Sequence, residues 1–94
     1  MDFGLRGRTA VVGGATSGLG RASAEALAVE GCNLLLWSRR ADALAATAAD
    51  LRTAYGVRVE HVVADATSRE AAAIVADAAS AFGPVDILVS NAGG

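Results

Sequence analysis

Ninety-four residues, 53% of them hydrophobic and only 4% aromatic, with a formal net charge of −2, describe one small folded domain and exclude a disordered chain. The eight basic residues are all Arg and lie scattered along the sequence, which leaves no electrostatic footprint for nucleic acid or an anionic membrane surface and points to a small-molecule partner. A single Cys32 can form no internal disulfide and is expected to pack as a small hydrophobe.

The amino-terminal run Met1-Asp2-Phe3-Gly4-Leu5-Arg6 lacks the basic-then-apolar order of a signal peptide, and no apolar run reaches the roughly 18 residues of a membrane span. A cytoplasmic address is therefore expected. Thr9-Ala10-Val11-Val12-Gly13 reads as a short strand buried on both faces of a parallel sheet. A helix is expected to begin near Ser17 to Leu19 and to end at Gly31, a residue suited to a helix C-terminus.

Cys32 to Trp37 reads as a second strand, and residues 41 to 55 as a helix, with Leu44, Ala48, Leu51 and Tyr55 at helical spacing and Asp42 in the first turn. Arg58 to Val63 alternates polar and apolar residues like a strand near a sheet edge, with His61 on the solvated phase. Ser68 offers half a capping box. Glu70, followed by the stripe Ala71, Ile74, Val75, Ala78 and Phe82, predicts a third helix that Gly83-Pro84 stops. Val85 to Ser90 is the last predicted strand, and Asn91-Ala92-Gly93-Gly94 follows it.

The pattern is β-α-β-α-β-α-β, an α/β chain. Helical crossovers require parallel strands, and right-handed crossovers leave the doubly wound order 3-2-1-4 of a partial Rossmann-type sheet, with residues 1–94 as one partial nucleotide-binding domain. Strands one and four then meet at the switch point, where ligands bind. With two helices on one face and one on the other, apolar side chains of strands one and four are expected to lie partly bare, strand four is an open edge, and self-association is expected.

Gly14, Gly18 and Gly20 follow a strand and open a helix. Their turn lets backbone N–H groups approach a pyrophosphate at the positive end of the helix, and Thr16 and Ser17 can add hydroxyl donors. The Gly-x3-Gly-x-Gly spacing, with no Lys, excludes a mononucleotide P-loop and with it a kinase or ATPase. No residue group suggests a metal site.

The segment Gly14-Ala15-Thr16-Ser17-Gly18-Leu19-Gly20 resembles the cofactor loop of the short-chain dehydrogenase/reductases. Ser90-Asn91-Ala92-Gly93 is similar to their Asn-Asn-Ala-Gly segment, and Asp65 matches a third family position. The resemblance covers the whole chain but only the first third to half of a typical member. It implies an NAD(P)-dependent oxidoreductase, with Asp65 accepting from the adenine amino group, Ala66 packing on the ring, and Asn91, Ala92 and Gly93 passing the adenine ribose.

Ser38-Arg39-Arg40 stands where an NAD enzyme would carry a carboxylate, so the resemblance puts Arg39 opposite a 2′-phosphate and favours NADP(H) over NAD(H). The same residues argue against a methyltransferase-type domain, which would want an acid there. Two departures stand out. Gly13 replaces the family's Thr, whose hydroxyl helps tie the loop to the fourth-strand segment, and Ser90 replaces the first Asn.

The family's catalytic acid is a Tyr in Tyr-x-x-x-Lys with a nearby Ser. This chain has no Lys, and its only Tyr, Tyr55, precedes Val59 at the fourth position. No catalytic residue is expected among the 94. The leading expectation is the amino-terminal cofactor-binding part of a longer NADPH-dependent carbonyl or 3-oxoacyl reductase. The alternative is a non-catalytic nucleotide-binding module or inert truncated piece.

Overall fold

The computed structural model describes residues 4–90. Seven elements alternate: β1 (Thr9–Gly13), α1 (Gly18–Val29), β2 (Asn33–Ser38), α2 (Ala41–Tyr55), β3 (Val59–Val63), α3 (Ala71–Phe82) and β4 (Ile87–Val89). The strands form one parallel sheet in the order β3-β2-β1-β4, as the crossover argument requires. The expected Asn91, Ala92 and Gly93 contacts lie outside the described residues.

The element boundaries have local causes. Helix α1 ends in a Schellman motif: the Gly31 N–H donates to Ala28 O and the Cys32 N–H to Leu27 O. Gly31 takes φ +88° to make it, a backbone state that favours glycine. Because the Cys32 N–H is spent on this cap, β2 begins at Asn33 instead of Cys32. At the start of β3, the Arg58 N–H goes to Asn33 Oδ1, and regular pairing begins at Val59.

Strand β4 is shorter than the sequence predicts. Its approach is held by a reciprocal clasp, the Asp86 N–H donating to Thr9 O and the Thr9 N–H to Asp86 Oδ2 at 2.9 Å. A side chain there replaces one rung of the ladder. Helix α3 starts at Ala71, because the exposed Ser68 bonds to Glu70, its hydroxyl accepting from the Glu70 N–H and donating to the Glu70 carboxylate. The contact spans two residues, not the three of a capping box.

The period-two alternation of the strands divides the core. On one face Ala10, Val12, Leu34 and Leu36 pack against Ala24 and Ala28 of α1 and Leu44, Ala48 and Leu51 of α2. Each such leucine, fully buried, contributes about 1.5–3 kcal/mol. On the other face Val11 and Leu35 meet Phe82, with Trp37, Val62, Val75, Ala78 and Ala79 around them. Cys32 is buried, and His61 is exposed.

Two expectations about the thinner face are corrected. Ile74 leaves the predicted α3 stripe and is 38% exposed; Ala79, four residues before Gly83, takes its place on the packed side. Strand one is not bare, since Val11 is only 2% exposed beneath the Leu35–Phe82 cluster. The bare strand is β4, where Leu88 is 69% exposed. Among the described residues, no helix is long and apolar enough to cross a membrane.

Candidate nucleotide site

The carboxyl ends of β1, β2 and β3 bring the predicted loop, Ser38-Arg39-Arg40 and Asp65-Ala66 to one edge of the sheet. Gly14 turns the chain out of β1 with φ +65°. Ser17 then caps α1: its hydroxyl donates to Gly14 O at 2.8 Å and accepts from the Gly20 N–H at 3.0 Å. Such a cap contributes about 1 kcal/mol. The Ser17 proton is thereby committed within the loop.

Each glycine of the turn has its own spatial role. A Cβ on Gly20 would stand 1.9 Å from Gly14 O, so the helix can pack on its own loop only with glycine there. A Cβ on Gly18 would meet nothing within 4 Å; no protein atom claims that space. Beside it the Gly18 and Leu19 N–H groups have no acceptor among the described residues, whereas the next two, of Gly20 and Arg21, bond to Ser17. Two open donors at a helix N-terminus, with clear space before them, fit a phosphate.

The loop is fastened to β2 from two directions. The Thr16 and Ser38 hydroxyls lie 3.0 Å apart, and the Ala15 N–H donates to Trp37 O at 3.3 Å. Ser38 is 1% exposed, and its oxygen also accepts from the Arg40 N–H, at 3.0 Å, as α2 begins. Its carbonyl accepts from the Ala64 N–H, which pins the end of β3. One serine therefore joins three segments of the site.

Arg39 and Arg40 are exposed. Asp65 sits across from Arg39 in an Asx turn, its Oδ1 accepting from the Thr67 N–H and hydroxyl. Those two bonds hold the Asp65 carboxyl below the usual carboxylate range, and the charge of Arg39 adds to them. Oδ2 makes no bond among the described residues. Ala66 is exposed beside it. Among the described residues no group of three or more His, Cys, Asp or Glu could hold a metal.

Sequence reasoning placed Trp37 only at the end of the second strand. It pairs in register with Gly13, and a Cβ on Gly13 would lie 2.5 Å from the indole Cε2 and Cζ2. The indole occupies the place of a side chain at position 13. A Thr at this position would therefore not fit beside the indole. The available signal was a glycine opposite a tryptophan at the ends of adjacent strands.

A family model described as short chain dehydrogenase matches residues 8–94. The chain is 47% identical over 90 residues to a glycine betaine reductase of Emericella nidulans, covering 95% of this chain and 7% of that protein. It is 44% identical over 89 residues to a 2-dehydro-3-deoxy-L-rhamnonate dehydrogenase (NAD(+)) of Sphingomonas, covering 93% and 33%. The L-sorbose reductase of Gluconobacter frateurii, solved with NADPH and L-sorbose, superposes with a TM-score of 0.94 at 42% identity, covering all of this chain and 36% of that one. The chain thus spans about a third or less of the length of these relatives.

Proposed function

The chain belongs to the short-chain dehydrogenase family, and on that premise we propose that it is the cofactor-binding part of an oxidoreductase that takes NADPH in preference to NADH. When bound, the reduced nicotinamide supplies a hydride to a carbonyl carbon. In this reading the Gly18 and Leu19 amides hold the pyrophosphate at the end of α1, Asp65 Oδ2 accepts from the adenine amino group, and Ala66 packs on the ring. Asn91, Ala92 and Gly93 border the ribose. The substrate of the whole protein is a small carbonyl or alcohol.

The observation that carries the cofactor preference is Ser38. Its buried hydroxyl is bonded to Thr16 and to the Arg40 N–H, so the end of β2 offers the ribose no carboxylate, while Arg39 and Arg40 stand exposed next to it. A charge-assisted bond to a 2′-phosphate favours NADPH by roughly 1.5 to 3 kcal/mol. Calorimetric titration with both reduced cofactors tests this. At least about tenfold tighter binding of NADPH is expected; equal affinities would remove the preference, and no heat from either would remove the site.

A second reading, binding without catalysis by these 94 residues, is favoured by their lack of Lys and by the position of Tyr55. That residue ends α2, at the opposite end of the sheet from the loop. It cannot protonate a substrate held at the nucleotide edge.

A further inference from the structure

Ser38 is 1% exposed, so its hydroxyl has to place its proton and fill its lone pairs without water. One lone pair takes the Arg40 N–H at 3.0 Å. The other partner of the hydroxyl is Thr16 Oγ1, also at 3.0 Å. Were Thr16 the donor in that contact, Ser38 would accept twice, and its own buried proton would have no acceptor among the described residues. Leaving a buried donor unmade is the costlier arrangement. Ser38 therefore donates and Thr16 accepts.

We propose that Ser38 is a positioning residue that turns the Thr16 hydroxyl into a donor towards the nucleotide, and that this proton favours a 2′-phosphate over a ribose hydroxyl. This rests on the NADPH reading above and deepens it. Thr16 is half-buried, and with its oxygen taking the Ser38 proton, its own proton has no acceptor among the described residues. The protons of the Arg40 amide and the Ser38 hydroxyl run one way, from the start of α2 towards the glycine loop. A phosphate oxygen is a charged acceptor and gains more from the Thr16 proton than a neutral hydroxyl does. A carboxylate at position 38 would reverse the pair. It can only accept, so Thr16 would donate to it and offer the ligand an oxygen alone, which suits a ribose hydroxyl bringing its own proton. Serine and aspartate here thus differ in the direction of the Thr16 proton as well as in charge.

The chain is titrated calorimetrically with adenosine 2′,5′-bisphosphate and with adenosine 5′-monophosphate, which differ in the 2′-phosphate alone. Thr16→Val keeps the shape of the side chain and removes its proton. It is expected to weaken the bisphosphate at least about tenfold and the monophosphate about threefold, whereas Thr16→Ser keeps the wild-type selectivity. Ser38→Ala is expected to lower the selectivity for the bisphosphate in the wild-type chain and to leave it unchanged beside Thr16→Val. Equal proportional losses of both nucleotides in Thr16→Val, or additive losses of selectivity in the double variant, overturn the proposal while leaving the cofactor site intact. No heat from either nucleotide overturns both. Nuclear magnetic resonance of the wild-type chain reads the proton without any ligand. The hydroxyl proton of Ser38 is expected in slow exchange with water and close in space to the Thr16 side chain; a slowly exchanging proton on Thr16 instead overturns the proposed direction.

Discussion

The hydroxyl oxygens of Thr16 and Ser38 lie 3.0 Å apart, joining the glycine-rich loop to the end of β2. On the proposed cofactor reading, this contact would couple how firmly a pyrophosphate is held to which ribose is accepted. Ser38→Asp tests the coupling. The new carboxylate would have the Thr16 hydroxyl and the Arg40 N–H as donors, and its charge would repel a 2′-phosphate. NADPH affinity is expected to fall at least about tenfold relative to NADH, measured by calorimetry.

Arg39 is exposed and acts on Asp65 by charge alone, so its removal should leave the fold alone. Arg39→Ala is expected to weaken NADPH at least about tenfold and NADH hardly at all, with the melting temperature unchanged. Parallel losses for the two cofactors would assign the 2′-phosphate elsewhere.

Gly18 and Gly20 make a contrasting pair. Gly20→Ala drives a methyl into Gly14 O and should cost about 1–3 kcal/mol of stability together with nucleotide binding. Gly18→Ala meets no protein atom and adds helix propensity at the first turn. Its melting temperature should hold or rise, by up to about 1 kcal/mol of stability, while nucleotide binding is lost. Stability and affinity thus move together in one variant and apart in the other, which thermal melts and titration resolve.

The Asp86 carboxyl is held below its ordinary range, chiefly by the Thr9 N–H and further by Arg8. A carboxylate with a lowered folded pKa stabilises the chain at every pH above its unfolded value, near 3.9, and that contribution fades as the pH falls through the folded value. Asp86→Asn should therefore melt below the wild type at about pH 7, and the two should converge towards about pH 2. A constant gap across that range would show that ionisation of Asp86 is not what stabilises the clasp.

Leu88, 69% exposed in the middle of the edge strand β4, is an open place for another chain to pair. Leu88→Lys puts a charge on the edge and is expected to shift sedimentation of the chain towards monomer. An unchanged distribution would place any association elsewhere.

Element order and sheet order were legible because they rest on local signals: unbroken apolar strands, helix periodicity, and Gly31 and Gly83 as stops. Gly31 as the C-terminal glycine belongs to that class, whereas Ser17, expected as a hydroxyl donor to a phosphate, instead caps α1 with its proton on Gly14 O. The bridging role of Ser38 and the Gly13–Trp37 exchange lie outside that class. Both depend on which residues of two strands, more than twenty positions apart in sequence, fall opposite each other, and a register offset of one residue would put each on the other face. The length of β4 was misjudged for a related reason, since Asp86 spends its side chain on Thr9 where regular pairing was expected.

The clasp between Thr9 and Asp86 joins residues 77 positions apart, and β1 lies inside the sheet with β4 as its outer neighbour. During synthesis, then, β1 has one side without its neighbour until almost the whole of this sequence has left the ribosome. β1 can pair with β2 early, but its other hydrogen-bonding edge waits for Ile87 to Val89. Over that interval the growing chain carries an apolar strand, open along one edge, that other nascent chains can reach.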